Sequence, residues 1–149
     1  MSSDTDAESQ AKYMDEMHAD WLRIPYDSPL RQQLKQDYGS FAGKEATNFP
    51  GTSRREGIPN VVVIGPDGSE KVFEEGEGSV AIETKGAGVV DDWAPFAWPY
   101  TKGIANATLE TKQGVPVQAS VALRGKIVAL YFSAHWCTSA CSMLALTLP

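Results

Sequence analysis

Two stretches of the chain are apolar without interruption, and they organise the reading of everything else. Asn60-Val61-Val62-Val63-Ile64 is a run of β-branched residues bounded by Pro59 and by Gly65-Pro66-Asp67-Gly68. Ile127-Val128-Ala129-Leu130-Tyr131-Phe132 is the second, and it runs directly into Ser133-Ala134-His135-Trp136-Cys137. An apolar run without polar alternation predicts a strand covered on both faces, hence central strands with helices on either side. After the first run Pro-Asp-Gly turns the chain, and Lys71-Val72-Phe73 is expected to return as an antiparallel edge strand.

Helical periodicity appears twice near the start. Thr5-Asp6-Ala7-Glu8 fits a capping box, with Thr5 as the N-cap, and predicts a helix to about Ala19 with Tyr13, Met14 and Met17 on one face. His18 then falls on the solvent side of that helix. Past the connector Trp21-Leu22-Arg23-Ile24-Pro25-Tyr26, a second helix is punctuated clearly. Asp27 or Ser28 caps it, Pro29 opens it and Gly39 ends it, with Leu30, Leu34 and Tyr38 in one stripe to pack on a sheet.

Residues 40–57 are polar, contain glycine and lack a period, so a long solvated surface loop is expected, Arg54 and Arg55 included. Residues 74–90 are rich in Glu and Gly and read as weakly structured. The stretch Asp91–Tyr100 packs four aromatic residues into ten positions and reads as a chain end folded onto the core, with an interaction patch as the alternative. Ala107–Thr111 and Val115–Val117, joined through Lys112-Gln113-Gly114, read as a small hairpin, and Ser120 to Leu123 as one short turn ended by Gly125.

Composition narrows the function classes. The chain has 149 residues, and Lys+Arg 13 against Asp+Glu 19 gives a net charge of −6. That sign opposes nucleic acid and anionic membrane as partners, since attraction to phosphate dominates both. No apolar run approaches the length of a membrane span. The acidic, polar opening is the reverse of a secretory leader. Two cysteines are too few for a disulfide scaffold, so a reducing compartment such as the cytosol is expected, where a close cysteine pair reads as redox or metal chemistry.

The chemical signal is the second strand followed at once by Trp136-Cys137-Thr138-Ser139-Ala140-Cys141 and the helix-compatible Ser142–Leu146. A cysteine where a strand meets a helix faces outward N–H groups and the positive end of the helix dipole, which favours thiolate. Cys137 is therefore the candidate nucleophile, with Trp136 shielding one side of its sulfur. Cys141 is a candidate resolving thiol. On a regular helix residues four apart have Cβ atoms about 5–6 Å apart, and a disulfide needs about 3.5–4.5 Å, so pairing requires a distorted first turn. Two inert cysteines, or one reactive and one structural, are the alternatives. His135 lies beside the motif, but no third distant ligand accompanies it, and neither a metal nor another cofactor is expected. Ile58-Pro59, just before the first apolar strand, is a natural place for a cis X-Pro bond presenting backbone to a bound peptide.

Leu123 to Cys137, through Gly125-Lys126-Ile127-Val128-Ala129-Leu130-Tyr131-Phe132-Ser133-Ala134-His135-Trp136-Cys137, closely resembles the active-site approach of the tryparedoxin/nucleoredoxin branch of thioredoxin-like proteins. The first hundred residues resemble the later half of the same branch: Ser2-Ser3-Asp4, Trp21–Tyr26, Leu34 to Gly39, Gly57-Ile58-Pro59, Pro66-Asp67-Gly68 and Phe96-Ala97-Trp98-Pro99 occur in the family's order. The resemblance implies an α/β, thioredoxin-like three-layer sandwich, with a mixed central sheet flanked by helices, that is incomplete or circularly permuted. Residues 1–100 are its C-terminal half and 101–149 its N-terminal half, carrying the cysteines. Three arrangements compete: a segment spanning two tandem domains, which the sequence favours because no apolar run supplies the strand expected just before Ser2; a circular permutant; or a half-swapped homodimer. The implied activity is thiol–disulfide exchange in the cytoplasm or nucleus, on protein or small-molecule disulfides, with an upstream thiol reductant. Cys137 attacks, Cys141 resolves, and Trp136, Ile58 and Pro59 position the substrate. Ala140 holds the family's second-cysteine position, Cys141 lies one residue later, and Asn60 follows Pro59 where the family has Thr. A non-catalytic thioredoxin-like binding module and an inactive remnant are the other readings.

Overall fold

The structure, a computed structural model, describes residues 1–64, 77–93 and 103–137. The Pro66–Gly68 turn, the expected strand at Lys71–Phe73, the aromatic run beyond Trp93, Cys141 and the Ser142–Leu146 stretch lie outside the described residues.

Helix α1 spans Ala7–Met17. Its cap is Asp6 rather than Thr5: Asp6 is extended and its carboxylate accepts from the Ser9 N–H at 2.7 Å, while Thr5 donates to the same carboxylate. The helix stops at Met17 because His18 is extended, with φ −121° and ψ 149°. Tyr13 and Met14 turn inward as expected. Helix α2 spans Pro29–Tyr38, opened by Pro29 and ended by Gly39 at φ 57°. Only glycine fits there. The conformation is left-handed, and a Cβ would stand 2.7 Å from the Ser53 carbonyl oxygen. Leu34 is buried, with Leu30 and Tyr38 packed against the same cluster.

Residues 40–57 are not a solvated loop. Gly43–Asn48 form a 3-10 turn, Phe41 and Phe49 are buried with ring centroids 4.5 Å apart, and the Arg54 Nε–H donates to the Phe41 carbonyl oxygen at 3.0 Å. Arg54 and Arg55 are nonetheless exposed.

Strand β1 (Asn60–Ile64) is buried at every residue and pairs antiparallel with a strand near the end of the chain, from Asn60 opposite Phe132 to Ile64 opposite Val128. The two faces of β1 meet different clusters. Val62 and Ile64 join Ile24, Leu34, Leu109, Leu130 and Phe132 on one side. Val61 and Val63 meet Ile82 and Val89 on the other. The doubly covered strand is as the apolar run predicts, but among the described residues it has one neighbour rather than two. Ile82 belongs to helix α3 (Glu77–Lys85), which a short 3-10 turn joins to α4 (Val89–Trp93), so the expectation of weak structure in 74–90 fails from Glu77 onward.

After a 3-10 turn at Gly103–Asn106, β2 (Thr108–Glu110) and β3 (Pro116–Gln118) form the expected hairpin. Helix α5 (Ala119–Ala122) and a turn at Gly125 lead into β4 (Val128–Phe132). Val128, Leu130 and Phe132 join the main cluster and Tyr131 packs on the other, but Ala129 is exposed, so the second apolar run is not covered on both faces along its length as expected. Met1–Ser3 supplies a short parallel neighbour to the end of β4. Ser2 bridges Ser133, the Ser3 N–H donates to the Ser133 carbonyl at 2.8 Å, and the Ser133 N–H donates to the Met1 carbonyl at 2.9 Å. The main cluster thus draws on both the 1–100 and the 101–149 segments, and the fold is α/β with small antiparallel sheets. No helix among the described residues is long and apolar enough to cross a membrane.

Candidate functional site

Strand β4 delivers Ser133 and Ala134 fully inside, and the chain then turns sharply, with the Cys137 N–H donating to the Ala134 carbonyl at 2.9 Å. This turn brings Cys137, half-buried, to the start of β1. Its sulfur lies 3.8 Å from the carbonyl oxygen of Ile58, whose bond to Pro59 is cis. Cys137, Ile58 and Pro59, predicted as one site from segments far apart in sequence, are therefore brought together. The loop that carries Ile58 is fastened from below: Ser40 Oγ donates to the Gly57 carbonyl at 3.3 Å, and the Asn60 amide donates to Ser40 Oγ at 3.1 Å. Asn60, which stands where the resemblance leads one to expect Thr, has this anchoring contact.

Trp136 remains 45% exposed, so it walls the site only in part. Its ring is held at two points. The indole N–H donates to the Ser3 carbonyl at 3.3 Å, and Lys44 Nζ sits 4.0 Å from the ring centroid, a cation–π contact from the segment expected to be solvated. His135 faces the other way, with Nε2 3.2 Å from a Glu16 carboxylate oxygen at the end of α1.

The sequence marks none of the residues that hold this turn as holding groups, although Ser2-Ser3-Asp4 belong to the resemblance. Asp4, buried, accepts from the His135 N–H at 2.8 Å and from Ser2 Oγ at 2.8 Å. Ser3 Oγ donates to Glu45 at 2.5 Å, and Glu45 pairs with Lys35 at 2.6 Å. Arg31, buried on the same helix as Lys35, donates to the Ser2 carbonyl at 2.9 Å. Burial pulls the Lys35 ammonium below its ordinary pKa, with Glu45 opposing the shift. Burial would raise Glu45, but the hydrogen bonds from Lys35 and Ser3 and the Lys35 charge outweigh it and hold the carboxyl below the usual range. The available clue was positional: Arg31 and Lys35 lie a helical turn apart beside the Leu30–Leu34–Tyr38 stripe.

Asp4 offers a direct check on the turn. In Asp4→Ala the His135 N–H loses its acceptor inside the protein, which costs about 1–3 kcal/mol. Asp4→Asn keeps an oxygen in place. Thermal unfolding should show a clear drop in Tm for Ala and a smaller one for Asn, with Trp136 emission shifting to the red only in Ala.

His18 corrects the sequence reading most sharply. It is 9% exposed, stacked on Trp21 at 4.9 Å and edged by Tyr13 and Tyr131. Burial, with the nearby amino terminus and Lys112 adding to it, lowers its pKa from 6.5 to about 4, so the ring is neutral.

A thioredoxin-like family model matches residues 1–70, from the Met1–Ser3 edge through β1 and the Ile58-Pro59 loop. The match covers slightly under half of the chain and supports a thioredoxin-like superfamily relationship over that part. No solved structure matches the chain.

Proposed function

We propose that the chain is a thiol–disulfide oxidoreductase of nucleoredoxin/tryparedoxin type, acting in the cytoplasm or nucleus. The observation that carries the reading is the approach of the Cys137 sulfur to the Ile58 carbonyl, 3.8 Å apart, across a strand ladder joining residues far apart in sequence. A nucleophilic sulfur beside outward backbone can receive an extended disulfide-bearing segment and attack one of its sulfurs.

In the proposed step the Cys137 thiolate attacks a substrate disulfide. A new S–S bond forms between Cys137 and one substrate sulfur, and the other leaves as a thiolate that takes up a proton. A second thiol then attacks the Cys137 sulfur, releasing the substrate's remaining thiol. Cys141 is the intramolecular candidate, and the product is then a Cys137–Cys141 disulfide that an upstream dithiol reductant returns to two thiols. If Cys141 does not resolve, an external thiol takes that role. Trp136, Ile58 and Pro59 line the approach.

Reduction of insulin by dithiothreitol, with Cys137→Ser and Cys141→Ser variants, is the experiment. Cys137→Ser is expected to fall to the rate without protein. Loss in both variants supports the paired mechanism, and loss in Cys137→Ser alone supports a one-cysteine mechanism. Activity equal to wild type in both ends the enzyme reading and leaves a binding module.

A further inference from the structure

Residues 40–57 bring two cations to the cysteine turn. Lys44 Nζ lies 4.0 Å from the centroid of the Trp136 ring, and Trp136 immediately precedes Cys137. Arg54 is fastened by its Nε–H to the Phe41 carbonyl oxygen at 3.0 Å. Its terminal nitrogens reach toward both ends of the segment: a Cβ at Gly57 would stand 2.6 Å from Nη2, and one at Gly43 would stand 3.9 Å from Nη1. Gly43 is the chain neighbour of Lys44. Gly57 is the chain neighbour of Ile58, whose carbonyl oxygen lies 3.8 Å from the Cys137 sulfur. The ammonium and the guanidinium therefore form one basic patch that runs from the Trp136 wall to the Ile58 loop.

Both residues are exposed, and neither pairs with a carboxylate among the described residues. The carboxylates that meet the turn are engaged elsewhere. Glu45 pairs with Lys35, buried Asp4 accepts from the His135 N–H and from Ser2 Oγ, and Glu16 faces His135. Residues 138–149 add no charged side chain to the patch. In a chain of net charge −6, the sign beside the candidate nucleophile is thus opposite to that of the whole. Repulsion of anions by distant charges is screened beyond about 10 Å at ordinary ionic strength, whereas a cation touching the bound segment still acts.

We propose that this patch selects the substrate: the disulfide attacked by Cys137 lies in a polypeptide segment with carboxylates flanking its cysteine, which face Lys44 beside Trp136 and Arg54 beside Ile58. The proposal rests on the thiol–disulfide reading of Cys137 and adds the charge of the substrate to it. The exchange itself is unchanged: Cys137 bonds one substrate sulfur, and the other leaves as a thiolate that takes up a proton.

The test uses the full chain carrying Cys141→Ser, so that Cys137 is the only thiol, and three peptide disulfides that differ only in having Asp, Asn or Lys beside the cysteine. Mixed-disulfide formation is followed by mass and by release of peptide thiol. Each rate is divided by that of the same peptide with mercaptoethanol, which removes the effect of the flanks on the disulfide bond itself. The Asp peptide is expected to react about tenfold faster than the Lys peptide at low salt, with Asn between them. The ratio should fall to about two or less near 1 M salt, where screening acts over about 3 Å. Lys44→Gln and Arg54→Gln should each lower the Asp-to-Lys ratio about threefold. Arg54→Lys, which keeps the charge, should retain most of it. A loosened Trp136 would slow all three peptides alike and leave the ratio in place. Equal normalised rates for the three peptides, or a ratio unmoved by both Gln variants, overturns the proposal while the chemistry of Cys137 stands. Reaction no faster than that of a chain also carrying Cys137→Ser ends the thiol reading, and the charge selection with it.

Discussion

Replacing Lys35 by Met should be among the most damaging single changes in this protein, costing about 3–5 kcal/mol, because it leaves a buried carboxylate without its cation. Lys35 Nζ has no solvent exposure and Glu45 only 12%, and the two atoms are 2.6 Å apart. The loss of Glu45 in Glu45→Ala should be comparable, since the ammonium must then shed its proton or stay charged in an apolar surround. Removing both together, in Lys35→Met with Glu45→Leu, should cost far less than the sum, because no isolated charge remains. Urea unfolding of the two single variants and the double variant measures this coupling; additive losses would show that the pair acts as two independent side chains. The single variants should also disturb the cysteine turn. Glu45 accepts from Ser3 Oγ and from the Ala42 N–H at 3.0 Å, and Ser3 holds the indole of Trp136. Trp136 emission should therefore move to the red below the unfolding transition.

The second large effect is a dependence on pH set by His18. Its pKa is 6.5 when exposed and about 4 in the folded chain, so the unfolded state binds the extra proton first as pH falls. Stability from this group is unaffected above about pH 6.5, declines between 6.5 and 4, and by pH 4 is reduced by about 3 kcal/mol. The Met1 amine, which burial lowers from 8.0 to about 5, loses stability in the same direction over that range, and the Glu45 and Asp6 carboxyls, both held below their ordinary values, do so at lower pH, so the histidine must be separated by difference. In His18→Gln the slope of unfolding free energy between pH 6.5 and 4 should flatten, while the part below 4 stays. An unchanged slope would mean that the buried imidazole is not what titrates.

The elements the sequence announced are those whose local chemistry settles the backbone. The β-branched run at Val61–Ile64 and the Pro29–Gly39 punctuation needed no tertiary information. The 40–57 segment hid its packing because Phe41 and Phe49 are isolated in polar surroundings, and only their meeting makes a small core. Helix α3 hid because its glycine and charges show no apolar stripe; it is held by Ile82 on the far face of β1. His18 was misplaced by one turn of arithmetic. A helix continued to Ala19 puts the ring outside, whereas the chain leaves the helix at Met17 and the extended backbone of His18 swings it in. At the site, Cys137, Ile58 and Pro59 were legible because each has a chemical identity of its own. Asp4, Ser3 and Glu45 were not, because their role is to hold other groups, and holding is visible only in three dimensions.

The ladder between β1 and β4 ties Ile64 to Val128 and Asn60 to Phe132. During synthesis the middle of the protein must therefore wait, with its most water-averse stretch uncovered, until β4 has left the ribosome. Pairings so distant in the chain form late and slowly, and the waiting stretch is of the kind that chaperones bind and that otherwise sticks to its neighbours. The yield of folded protein in a cell should thus respond more to translation speed and chaperone supply than its equilibrium stability alone would suggest.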